Sequence, residues 1–290
     1  MPPGSPHART PPGHDPRRGL DRLRETTSCY IVHQTGSGIV ARALAGWDGI
    51  RGSAAEAVDR KALGYYTARR ISAHYYIGLD GRIWTLTHEA VEAPHVGVSK
   101  AERRAYLSGS WALGERPIGR GFRGISPAAV GAWRAAWPRY RSPQHLLPSV
   151  RVTECSIGSE MAPAGYHERG RWRPLPGVVT WLGTRHTLRQ HLAVALLATD
   201  IARRYDWPLG WQHDPLGGPR SPYLLGHEDV DLFGRANLGG GWDPGALRAS
   251  PRWDWDLVRG AASGILQGTR LAKFILDALG GGRQNGPLTS

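Results

Sequence analysis

Short β-prone runs that each end on a polar residue, separated by helical stretches, constrain this chain more than any other feature. The run "CYIVHQ" passes from β-branched and aromatic residues to His33 and then to a glycine-containing polar loop. "HYYIGLDGRIWTL" reads as two strands about an Asp80-Gly81 turn, a strong short-range hairpin signal. "TECSIGSEM" resumes strand character, and alternation sets Ser156, Gly158 and Glu160 on one face, with Cys155, Ile157 and Met161 on the other. Helical material lies between these runs. "TLRQHLAVALLATDIARRY" places Leu188, Leu192, Leu196 and Ile201 near helical spacing, and Thr187 with Gln190 fits a capping box. Strands interleaved with helices predict an α/β sheet with a site along one rim, where polar strand ends meet loops.

With 290 residues, 40% hydrophobic and 21% charged, the chain is long enough to bury a core and reads as one domain with tails. Residues 1–26, rich in Pro and Arg, read as a disordered or loosely docked arm without an apolar core of signal-peptide length. Residues 27–257 form the domain proper, with an insertion at about 101–150 in which Arg, Pro, Gly and Trp dilute the pattern around one short helix. Residues 258–290 are expected to hold a weakly amphipathic helix, from about Ile265 to Leu279, that docks on the domain, followed by a tail. No segment approaches the run of about 18 apolar residues that a membrane helix needs. Cys29 and Cys155 form no CxxC pair, so the chain is neither a disulfide scaffold nor a thiolate-rich zinc module; two buried thiols or a single pair both fit. A formal charge of +13 would draw nucleic acid, acidic lipid or the anionic polymers of a bacterial wall. No RNA-binding signature, zinc-finger spacing or Lys-rich arm accompanies it, so no specific nucleic-acid partner is expected.

The residues with chemistry to offer at loop junctions are His33, His74, His95, Glu160, His227 and Asp243. Each histidine can also be read as a hydrogen-bonded structural imidazole. Two imidazoles and a carboxylate form a ligand set suited to catalytic zinc, which keeps its fourth position for water. No HExxH spacing is present, so such a site would be assembled from distant segments.

The ordered series "YIVHQT", "SAHYYIGLDGRIWTL", "APHVGVS", "SIGSEM", "LLGHEDV" and "WDPGAL" with "RWDWDLV" resembles the type-2 N-acetylmuramoyl-L-alanine amidases. That family includes phage lysozyme-like amidases, muropeptide-recycling amidases and peptidoglycan-recognition proteins. The resemblance implies a single mixed β-sheet flanked by helices, with one long insertion. It implies Zn2+ held by His33, His227 and Asp243, with Glu160 acting on the water beside the metal. It also implies cleavage of the amide between N-acetylmuramic acid and L-alanine in peptidoglycan. Where the recycling and phage branches carry a Lys two positions before the last ligand, this chain has Gly241, which leaves the oxyanion's donor open, with Arg235 and His95 as candidates. His74 is expected to support the structure. Without a signal peptide, the chain would reach the wall as an endolysin or delivered effector; the alternatives are a cytoplasmic recycling amidase and a non-catalytic peptidoglycan-binding module.

Overall fold

The computed structural model describes residues 5–11, 29–35, 38–49, 52–68, 73–93, 95, 156–168, 171–207, 212–214, 218–220, 224–227, 253–269, 277 and 279. Its centre is a six-stranded mixed sheet. In chain order the elements are β1 (Ala8–Arg9), β2 (Cys29–Gln34), α1 (Gly38–Ala45), α2 (Ala54–Ala68), β3 (Tyr75–Ile77), β4 (Ile83–Thr85) and β5 (Ser156–Met161). Then come β6 (Gly165–Glu168), β7 (Arg171–Pro174), α3 (Leu188–Tyr205), β8 (Gln212–Asp214), β9 (Gly218–Arg220), β10 (Leu224–Gly226) and α4 (Trp255–Leu266). The sheet order is β1-β4-β3-β5-β2-β10, and β6-β7 and β8-β9 form separate hairpins. β3, β5, β2 and β10 pair parallel, while β4 runs against β3 and β1 pairs parallel with β4.

Each sheet face buries its own apolar layer, as strand alternation requires. Tyr30, Val32, Tyr75, Ile77, Ile157 and Met161 pack with Leu192, Leu196 and Ile201 of α3 and with Val258 and Ile265 of α4. On the opposite face Tyr76 joins Val40 of α1 and Val58, Ala62 and Tyr66 of α2. The expected helix is observed as α3, and its capping box is present. Thr187 Oγ1 accepts from Gln190 N and also donates to the Leu79 carbonyl at 2.8 Å, while Gln190 Nε2 donates to the Ala162 carbonyl at 2.7 Å. One cap therefore starts the helix and ties it to the segments that follow β3 and β5.

The β3-β4 hairpin forms where Asp80-Gly81 placed it, through a loop longer than two residues. Gly78 N–H donates to Arg82 O and Gly81 N–H to Gly78 O, with Gly81 at φ +82, in the left-handed region that glycine tolerates. Within the arm expected to be disordered or loosely docked, Ser5–Pro11 is described: β1 extends the sheet beside Ile83 and Trp84, and Ser5 N–H donates to Tyr75 Oη at 2.8 Å. α4 overlaps only the start of the helix expected over about Ile265 to Leu279, most of which lies outside the described residues; Asp277, within that stretch, is helical. Asp254 caps α4 by accepting from Leu257 N at 2.9 Å, and burial of Trp255, Val258, Ala262 and Ile265 outweighs the low helix propensity of Gly260 and Gly264. Further on, Leu279 packs against the core. The 101–150 insertion and Cys155 lie outside the described residues, as does the Cys29 side chain.

α3 also buries a titratable group. His191 donates from Nδ1 to the Thr187 carbonyl at 2.8 Å and accepts from Asp254 N–H at Nε2, with the Trp253 ring stacked 4.0 Å away. Burial lowers its pKa from 6.5 to about 4, against weaker opposing effects of Thr187 and Asp254. Between those values the unfolded chain takes up the proton first, so stability falls as pH drops through the window. Asp59, whose pKa burial raises to about 7, slopes the other way, so parent and variant must be compared. Between pH 7 and pH 4.5 the parent should lose roughly 2–3 kcal/mol more than His191→Gln in urea unfolding; parallel losses would contradict this.

Candidate functional site

Parallel register builds the site. β2 and β5 pair His33 with Glu160, and β2 and β10 pair Val32 with Gly226, so His227 follows on the next rung beside His33. Three adjacent strands thus present His227, His33 and Glu160 in one row. His33 and Glu160 lie on the face covered elsewhere by α1 and α2, because the alternate residues Tyr30, Val32, Ile157 and Met161 point into the other core.

His33, His95 and His227 are brought together and buried. His33 Nδ1 lies 2.8 Å from His227 Nδ1, and His33 Nε2 lies 2.9 Å from His95 Nδ1. The His95 ring continues to Ser156, with Nε2 3.1 Å from Oγ and 3.3 Å from the carbonyl oxygen. The facing Nδ1 atoms of His33 and His227 are a pair of nitrogen donors of the kind that zinc accepts. Among the described residues no group of three His, Cys, Asp or Glu forms a metal site. Asp243, the expected third ligand, lies outside the described residues, as do Arg235 and Gly241.

Glu160 Oε2 accepts from Thr35 Oγ1 at 3.2 Å, and Thr35 Oγ1 lies 2.9 Å from Tyr66 Oη. Burial raises the Tyr66 pKa well above 10, and the nearby Glu160 charge raises it further, so the phenol stays protonated. Sequence reasoning did not single out Thr35 or Tyr66. Thr35 was within reach, since it shares strand parity with His33. The placement of Tyr66 depends on how α2 packs.

His74 has a different position. Its Nδ1 accepts from Gly158 N–H at 3.0 Å, which leaves Nε2 to donate to the Val91 carbonyl at 2.9 Å. Both ring nitrogens serve backbone groups, in keeping with a supporting residue. Gly158 is the floor beneath His95: a Cβ there would stand 2.2 Å from His95 Nδ1, inside contact distance. Gly158→Ala should therefore destabilise the protein by about 1–3 kcal/mol, as overpacking does. Gly64→Ala on α2, where a Cβ meets nothing within 4 Å, should stabilise by about 0.5–1 kcal/mol. Denaturant midpoints of the two variants would test this, and equal shifts would refute it.

None of the curated proteins compared with the chain matches it. The crystal structure of a selenomethionine AmpD derivative aligns over 89% of this chain and 95% of its own, at 17% identity and a TM-score of 0.39. The family model described as N-acetylmuramoyl-L-alanine amidase matches residues 24–246, a span that includes His33, Glu160, His227 and Asp243. By that match over more than half of its length, the chain belongs to the N-acetylmuramoyl-L-alanine amidase family.

Proposed function

We propose that this protein hydrolyses the amide between the lactyl group of N-acetylmuramic acid and the L-alanine of the peptidoglycan stem, with zinc as cofactor. Family membership supports peptidoglycan amidase activity. The observation that carries the zinc reading is the 2.8 Å approach of the His33 and His227 Nδ1 atoms, with Glu160 on the rung beside His33. His33, His227 and Asp243 would hold the metal. Bound there, zinc supplies polarisation of the amide carbonyl and a lowered pKa for water.

The chain's own residues do the rest. Glu160 takes a proton from the attacking water and delivers it to the departing amine nitrogen, so the C–N bond breaks as the new C–O bond persists. Thr35, held by Tyr66, orients the carboxylate by donating to Oε2. The oxyanion needs a donor in place of the missing Lys, and Arg235 is our assignment. A charge of +13 favours encounter with the anionic wall, so we assign the protein to wall lysis, as an endolysin or delivered effector. No helix among the described residues is long and apolar enough to cross a membrane.

Digestion of purified sacculi, with products identified by mass, tests the reaction. Stem peptides with a free L-alanine amine should be released, a chelator should stop their release, and added zinc should restore it. Full activity in metal-free protein would eliminate the zinc reading. Asp243→Ala should lower zinc content, whereas Glu160→Gln should keep the zinc and lose about 100-fold to 10,000-fold in rate. A Glu160→Gln protein that works at nearly the parental rate would remove Glu160 from proton transfer.

A further inference from the structure

The histidine cluster continues past the expected ligands. His33 uses Nδ1 towards His227, and its other nitrogen lies 2.9 Å from His95 Nδ1. His95 in turn lies with Nε2 against Ser156, and the His33 and His95 rings meet nearly edge to face, at 88°. Gly158 leaves the space that the His95 imidazole fills; any side chain there would overlap it. β5 thus contributes to this one face an anchor at Ser156, a floor at Gly158 and an acid at Glu160.

We propose that His95 is a positioning residue that fixes the tautomer and ring orientation of His33, through a one-way hydrogen-bond chain ending at the Ser156 carbonyl. The Ser156 carbonyl oxygen can only accept and its hydroxyl can accept too, so a proton on His95 Nε2 serves both oxygens and is assigned there. Its Nδ1 is then bare and accepts from His33 Nε2–H. That leaves His33 Nδ1 without a proton and aimed at His227, the state a metal ligand must have. The inference rests on His33 as a ligand and gives His95 a task other than stabilising an oxyanion.

The test measures zinc affinity of metal-free protein by competition with a chromophoric chelator. His95→Phe, which fills the space without an acceptor, should bind zinc about 10-fold to 100-fold more weakly. His95→Asn, whose amide oxygen can stand near the Nδ1 position, should recover most of that loss. Parental affinity in a folded His95→Phe protein would overturn the proposal. So would a change confined to kcat or KM, which would put His95 on the substrate. Nitrogen-15 spectra of the parent decide the matter even if His95→Phe misfolds: Nε2 of His95 should carry the proton and Nδ1 should be bare, and the reverse tautomer would refute the chain. If the parent binds no zinc, the ligand assignment of His33 fails, while the same spectra still judge the hydrogen-bond polarity.

Discussion

The parallel register of β10, β2 and β5 is the constraint on which the site depends. A strand slipped by one residue turns every side chain to the other face. Such a slip of β2 would put Tyr30 and Val32 among the polar groups and His33 in the apolar layer against α3. That layer is deep: Leu192, Leu197, Ile201, Val258 and Ile265 bury the alternate strand residues. The rung that aligns His33 with Glu160 is therefore specified by apolar packing on the opposite side of the sheet.

Polar interactions hold the same sheet at its other end. Glu89, almost fully buried, accepts from Tyr75 Oη, from both terminal nitrogens of Arg204 and from Tyr205 Oη. Arg204 also donates to Asp200, so the guanidinium bridges two carboxylates. A buried charge is tolerable only when paired and hydrogen-bonded. Here the pairing joins the segment after β4 to the end of α3, and the Tyr75 hydroxyl passes the connection on to Ser5 beside β1. The sheet is clamped between this network and the capping box of α3, so its strands offer a rigid base for the histidines.

Around the site the buried histidines divide the work. His74 serves two backbone groups and stabilises the start of the β3-β5 ladder. His95 occupies the space above Gly158, and His33 and His227 face one another beyond it. Neighbouring rings lie within hydrogen-bond distance of one another, and under the proposed function this row would hold the metal ligands in place. Thr35 and Tyr66 do the same for Glu160 from the side of α2.

Local periodicity and capping chemistry are properties of short segments, and they alone determined much of this protein. Thr187 and Gln190 marked the start of α3, Asp80-Gly81 marked the hairpin, and alternation placed Ser156, Gly158 and Glu160 on one face. The ordered motifs carry the family likeness by themselves. Tertiary structure decided what lies beside what. That β5 sits between β2 and β3, that His95 reaches His33, and that Tyr66 reaches Thr35 depend on contacts between residues far apart in the chain, 62 positions for His95 and His33 and 31 for Tyr66 and Thr35. The helix at Trp255–Leu266 is not marked by its own sequence, because its two glycines argue against it locally while its stability comes from burial against α3. Sequence records the preferences of each segment; which faces meet is set by the joint burial of all of them.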